Sequence, residues 1–192
     1  DGDNVVKTRL ASGDMSDMLY YNSGSLLSAL NPSEYFADLS GETFMENVDD
    51  TFKSSVTIGD SVFGIPGASS QVGAVLYNKE VYEKYGLEVP KTWDEFLKNC
   101  DVLKDAGEVA LLGTFGDSWT AQVLYLGDNY NVSTENPDFA NGFEAGEIKY
   151  ATDEAGLKSF QKMEDVVPYY NSDYLATSYD DGCEMIMEGQ AA

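Results

Sequence analysis

The sequence predicts an α/β fold with a largely parallel sheet, and three observations carry that expectation. Short apolar, strand-like runs alternate with helix-like segments along the chain, the pattern that winds into a parallel sheet covered by helices. One run, Val72-Gly73-Ala74-Val75-Leu76, is continuously apolar, as expected of a strand buried on both faces. The segment after Pro90 carries the signals of a capped amphipathic helix. Its Thr92 hydroxyl can accept from the Glu95 amide while the Glu95 carboxylate reaches back to the Thr92 amide. Trp93, Phe96, Leu97, Cys100 and Leu103 then share one face, and Gly107 supplies a left-handed stop.

Taken in order, the elements begin with the last turns of a helix over residues 3–12, stopped by Gly13. A strand near Met18 to Tyr21, a short helix near Ser25 to Leu30 and a helix near Phe44 to Ser54 follow. A hairpin-like strand at Ser61 to Ile65 precedes the core strand that runs to Tyr77. Next come a short helix near Lys79 to Tyr85, the capped helix, a strand at Val109 to Gly113 and a helix beginning near Ser118. The remainder reads as mostly helical, with Thr152-Asp153-Glu154 opening a helix whose apolar stripe is Leu157, Phe160, Met163 and Val167. Asn131-Val132-Ser133 is a glycosylation sequon by pattern only.

Composition narrows the classes of function. The chain has 192 residues and 43% apolar content, enough for a real core in one domain or two small ones. With 34 acidic against 11 basic residues its formal charge is −23, so nucleic-acid phosphates and anionic membrane surfaces would be repelled. The acids are scattered among aromatic residues, as on a solvated folded surface. Cys100 and Cys183 are the only cysteines, and they read as two separate thiols. No apolar run is long enough to span a membrane, and the polar first residues carry no secretory signal, as expected of a mature or trimmed chain. Both ends read as cut within structure, since no strand precedes the first helix and none follows the last turn.

Catalysis finds little support. The chain has no histidine, which excludes Ser-His-Asp, Cys-His and His-containing metal sites within it. A pair of opposed carboxylates, as a glycosidase needs, is available by chance among so many acids and carries no specificity. Phosphate-cradling glycine loops are absent. Asp1-Gly2-Asp3-Asn4 looks calcium-like, but Ser12 stands where a calcium loop needs glutamate.

Three pieces stand in fixed order and spacing: Phe63-Gly64-Ile65-Pro66, Leu76-Tyr77-Asn78-Lys79-Glu80 and Pro90-Lys91-Thr92-Trp93-Asp94-Glu95-Phe96. Together they resemble the middle of an extracellular solute-binding protein of the carbohydrate-uptake, maltose-binding-protein-like type. Residues 181–192, with their Gly-Gln-Ala-Ala turn, resemble the same family. The resemblance implies a two-lobe, periplasmic-binding-protein-like fold of type II, incomplete at both ends. It places residues 1–70 in the first lobe and residues 71–192 in the hinge crossing and second lobe, with the hinge near Ser69 to Gly73. It implies an extracellular or periplasmic protein, lipid-anchored to the cell membrane and monomeric, that captures a sugar or oligosaccharide between its lobes. The cargo would pass to an ABC permease in the membrane, and no cofactor is called for. The alternatives from other classes are a carbohydrate-active enzyme or adhesion module, and a binding protein for a non-sugar solute.

Sugar recognition needs flat apolar faces for the CH face of a pyranose and polar groups for its hydroxyl edges. Trp119, in Asp117-Ser118-Trp119 at a helix start, is the leading candidate platform, with core burial as its alternative. Asp117 accompanies it. Tyr20, Tyr21 and Asn22 follow the expected strand near Met18 and would contact ligand or pack at the strand end. Gln71 lies beside the expected hinge, where its amide could both donate to and accept from a hydroxyl. Asp17 and Asn78 read as residues that hold turns. Tyr169, Tyr170, Tyr174 and Tyr179 form a tyrosine-rich tail that reads mainly as packing.

Overall fold

Gly13 and Gly107 end their helices at φ of 72° and 81°, a left-handed geometry that a side chain would strain. The computed structural model describes residues 2–67 and 73–192 and divides the chain into two units, Asp1–Gln71 and Val72–Ala192. It is mostly helical with one small sheet.

The first unit runs α1 (Gly2–Ser12), α2 (Ser25–Ser28), α3 (Pro32–Tyr35), a 3-10 turn (Thr43–Asn47), α4 (Asp50–Ser55), β1 (Thr57–Ile58) and β2 (Ser61–Val62). The two strands form an antiparallel hairpin pairing Thr57 with Val62 and Ile58 with Ser61. Asp38 ties this hairpin to the preceding loop. Its carboxylate accepts from Ser40 Oγ at 2.6 Å and Ser61 Oγ at 2.8 Å, and these bonds, the Ser40 hydroxyl first, hold the carboxyl down to about 2. The helix expected over 44–54 is divided, because Asp49 leaves helical geometry and caps α4, accepting from the Thr51 amide at 2.9 Å. Leu10, Leu27, Leu30, Met45 and Val56 are the unit's buried apolar residues.

The second unit contains α5 (Lys79–Tyr85), α6 (Trp93–Asp105), a 3-10 turn (Ser118–Gln122), α7 (Val123–Glu135), α8 (Phe139–Glu144), α9 (Glu154–Val166), a 3-10 turn (Val167–Tyr169) and α10 (Tyr179–Met187). Local capping explains most helix starts. Asn78 Oδ1 accepts from the Glu80 amide at 3.0 Å, Thr92 and Glu95 form the expected reciprocal box, and Asp153 Oδ1 accepts from the Gly156 amide at 2.9 Å. Tyr82, Cys100, Leu103 and Ala110 form one core cluster, with Leu111, Tyr169 and Ala192 packed against it. Val132, Phe139 and Ala155 form a second under Ile148 and Tyr150. Cys100 is buried and Cys183 exposed, and both are free thiols. Burial first of all pushes the Cys100 thiol up to about 11.

The large parallel sheet expected from the sequence is absent among the described residues. The segments near Met18 to Tyr21 and from Gly73 to Tyr77 form no strand, with Met18 87% and Leu76 76% exposed. An apolar run becomes a strand only when a neighbour takes up its backbone groups. Parallel pairing does appear where neighbours exist. Leu111 bridges Tyr170 in parallel, the Leu111 amide donating to the Tyr169 carbonyl at 3.1 Å and the Asn171 amide to the Leu111 carbonyl at 3.2 Å. The Ala192 amide donates to the Val109 carbonyl at 3.0 Å.

Gly116 lies where this extended segment meets the loop before α10. A Cβ there would stand 2.7 Å from the carbonyl oxygens of both Ala176 and Thr177. Because backbone, not a flexible side-chain tip, is in the way, Gly116→Ala is expected to cost about 2 kcal/mol, read as a lowered urea midpoint at unchanged slope.

Candidate ligand-binding site

In the second unit an open depression of about 420 Å³ is lined by Ser118, Trp119, Ala121, Gln122, Tyr125, Phe160 and Met163. The 3-10 turn and the first turn of α7 form one wall, and the middle of α9 forms the other. Trp119 is 51% exposed. One side of its ring is taken by Tyr179, with centroids 5.1 Å apart at 51°, which fixes the indole without covering it. Tyr125 and Phe160 face each other at 5.4 Å and continue into the buried aromatic cluster through Tyr150, 5.1 Å from Phe160. The hydroxyls of Tyr125 and Tyr150 share a hydrogen bond, and burial pushes the Tyr150 phenol upward, so it stays neutral.

Polar groups complete the lining. Among the described residues neither the Ser118 hydroxyl nor the Gln122 amide makes a hydrogen bond to the protein, and both residues are exposed. Each therefore offers an uncharged donor and acceptor to an incoming group beside flat apolar rings.

The walls are fixed by polar contacts at their base. Lys162 Nζ donates to Asp128 Oδ1, bridging α9 and α7, and the two side chains are only 12% and 9% exposed. Asn131 Nδ2 also donates to Asp128, at 2.7 Å. The Lys162 ammonium lies 5.6 Å from the Trp93 ring centre, and Trp93 Nε1 donates to Asp165 Oδ2 at 3.0 Å. A single bracket thus joins α6, α7 and α9 behind Tyr125, Phe160 and Met163.

The residues singled out in the sequence take different places. Trp119 lies in the depression. Asp117 does not line it, because its Oδ2 accepts from the Tyr179 amide at 2.7 Å and so helps satisfy the start of α10. Tyr21 is half-buried and donates through its hydroxyl to Asp3 Oδ1 at 2.7 Å, tying its loop to α1; this bond, ahead of burial, raises the phenol. Tyr20 is 78% exposed with its ring against the backbone of Gly67, and Asn22 is exposed. Gln71 and most of the expected hinge, Ser69 to Val72, lie outside the described residues. Of the tyrosine-rich tail, Tyr170 and Tyr174 pack on Phe115, Tyr169 donates to Asp101, and Tyr179 backs Trp119.

Phe160 and Met163 come from the apolar stripe that sequence spacing sets out together with Leu157 and Val167. In the structure α9 instead buries Ala155, Gly156, Ser159 and Val166, while Leu157, Phe160 and Val167 are 41%, 47% and 46% exposed. Small residues and the Lys162–Asp128 pair let α7 approach on that side, which turns the aromatic side outward.

The chain is 31% identical over 123 residues to a multiple sugar-binding protein of Streptococcus mutans, an alignment spanning 62% of this chain and 29% of that one. A chitin oligosaccharide binding protein superposes with a TM-score of 0.77 at 19% identity over 96% of this chain and 47% of its own. A sugar transporter of Bacillus licheniformis solved with stachyose gives 0.71 at 17% identity over 99% and 50%. The chain thus spans about half the length of these solved structures and under a third of the curated relative. It shares their α/β, periplasmic-binding-protein-like fold. No described helix is long and apolar enough to cross a membrane. Matched over residues 1–191, the chain belongs to the bacterial extracellular solute-binding protein family.

Proposed function

We propose that this chain captures a sugar or oligosaccharide outside the cell and hands it, chemically unchanged, to the membrane permease of an ABC importer. The observation that carries the reading is the depression in which Trp119, Tyr125 and Phe160 present aromatic faces beside the uncommitted Ser118 hydroxyl and Gln122 amide. Rings and neutral hydrogen-bonding groups side by side are what a pyranose, apolar on its faces and hydroxylated at its edges, requires. The relatives named above are binding and transport proteins for sugars, not enzymes, which supports the same reading. In it, residues 1–70 belong to the first lobe and residues 71–192 to the hinge crossing and second lobe. Ligand would act by favouring the closed state, for which it has the higher affinity. The protein would be monomeric and tethered to the membrane by lipid.

Thermal unfolding of the intact protein against a panel of mono- and oligosaccharides tests this. A true ligand at a hundredfold excess over its dissociation constant adds about 2.7 kcal/mol of stability, a shift of several degrees. Reducing ends should not accumulate during incubation with that ligand. A melting temperature unmoved by every sugar would direct the search to other small solutes, and released reducing sugar would make the protein an enzyme.

A further inference from the structure

We propose that the Trp119 depression takes saccharides without carboxylate groups and discriminates against uronate-bearing ones. The inference rests on the carbohydrate reading above and adds the charge of the cargo to it. The chain carries a net charge of −23, yet among the described residues none that lines the depression is charged.

The charged groups nearest to it are engaged elsewhere. Asp117 accepts from the Tyr179 amide, Lys162 is held against Asp128 with its side chain 12% exposed, Lys158 pairs with Glu135 at 3.2 Å, and Asp165 accepts from Trp93. Glu164 is exposed beside Met163 but does not line the depression. A carboxylate brought onto the Trp119 face would therefore find the Ser118 hydroxyl and the Gln122 amide as donors but no cation. Desolvating an anion without a countercharge is unfavourable, and the strongly acidic chain opposes its approach. A neutral hydroxymethyl group at the same position suffers neither effect and can both donate to and accept from Gln122.

The test is calorimetric titration of the intact protein with maltotriose, raffinose and chitotriose, each beside its counterpart carrying one C6 hydroxymethyl oxidised to the carboxylate, a change of charge at nearly constant size. For any parent that binds, the oxidised counterpart is expected to bind roughly tenfold or more weakly. Added salt should narrow that gap by screening while leaving the parent's affinity unchanged. Gln122→Lys, an exposed change that supplies the missing cation, should narrow it further. An oxidised sugar that binds as tightly as its parent, or a gap indifferent to Gln122→Lys, overturns the inference and leaves the carbohydrate reading intact. Failure of every parent and every oxidised sugar to bind removes the carbohydrate reading, and the inference with it.

Discussion

Replacing Trp119 by alanine is expected to weaken sugar binding roughly thirtyfold, about 2 kcal/mol, while leaving the protein folded. The ring is half exposed and backed by Tyr179 at 5.1 Å, so its free face is held in place before any ligand arrives. Truncation removes that flat surface and leaves the sugar face against water, whereas the protein loses only one exposed aromatic contact, a change within about 1 kcal/mol of stability. Trp119→Phe keeps a ring of reduced area and should retain most of the affinity. Titration calorimetry and thermal melts on the same samples separate the outcomes. Unchanged affinity with a lowered melting temperature in Trp119→Ala would make the indole a packing residue, the alternative that its sequence context left open.

What was legible in the sequence is what is decided within a few residues. The Thr92–Glu95 box, the Asn78 and Asp153 caps and the Gly13 and Gly107 stops depend on groups no more than four positions apart, so those helix ends follow from the residues alone. Strands were not legible in that way. Residues 73–77 and 109–113 carry similar apolar patterns, yet only the second finds partners, in Tyr169, Asn171 and Ala192, far away in the chain. The site fell between these cases. Asp117-Ser118-Trp119 marks a turn that lines the depression, whereas nothing in the sequence marks the opposite wall as exposed. Spacing shows that Leu157, Phe160 and Met163 share a side of α9; it does not say which side is buried. The decisive signals were the small residues Ala155, Gly156 and Ser159 together with Lys162, whose partner Asp128 lies 34 positions earlier. A lysine at an inward position can be recognised only once that partner is known.

That buried pair supports the largest stability effect expected here. Removing the Lys162 cation in Lys162→Met leaves the Asp128 carboxylate, 9% exposed, with neutral donors such as the Asn131 amide at 2.7 Å in place of its countercharge, and a buried charge deprived of its partner costs about 3–5 kcal/mol. In the wild-type protein burial raises the Asp128 carboxyl, and the hydrogen bonds from Lys162, Asn131 and Ser159 together with the Lys162 charge more than offset it, holding the group below the ordinary carboxylate range. The pair's stabilisation is therefore present near neutrality and fades as pH falls through the folded-state value. Without the cation the same burial is opposed only by the neutral Asn131 and Ser159 donors, and the carboxyl is expected to rise above its unfolded value. The folded variant then takes up a proton more readily than the unfolded chain, so its stability should rise as pH falls, against the wild-type trend. Urea unfolding should show the gap between the two proteins widest near neutral pH and shrinking toward about pH 5. Adding Asp128→Asn to Lys162→Met should recover most of the loss at neutral pH, since no unpaired charge remains. A deficit that is constant with pH and persists in the double variant would mean that Lys162 contributes through the packing of its stem, not through its charge. Because α7 carries Tyr125 and α9 carries Phe160 and Met163, loosening the pair should also weaken ligand binding, and the affinity should return at low pH together with the stability.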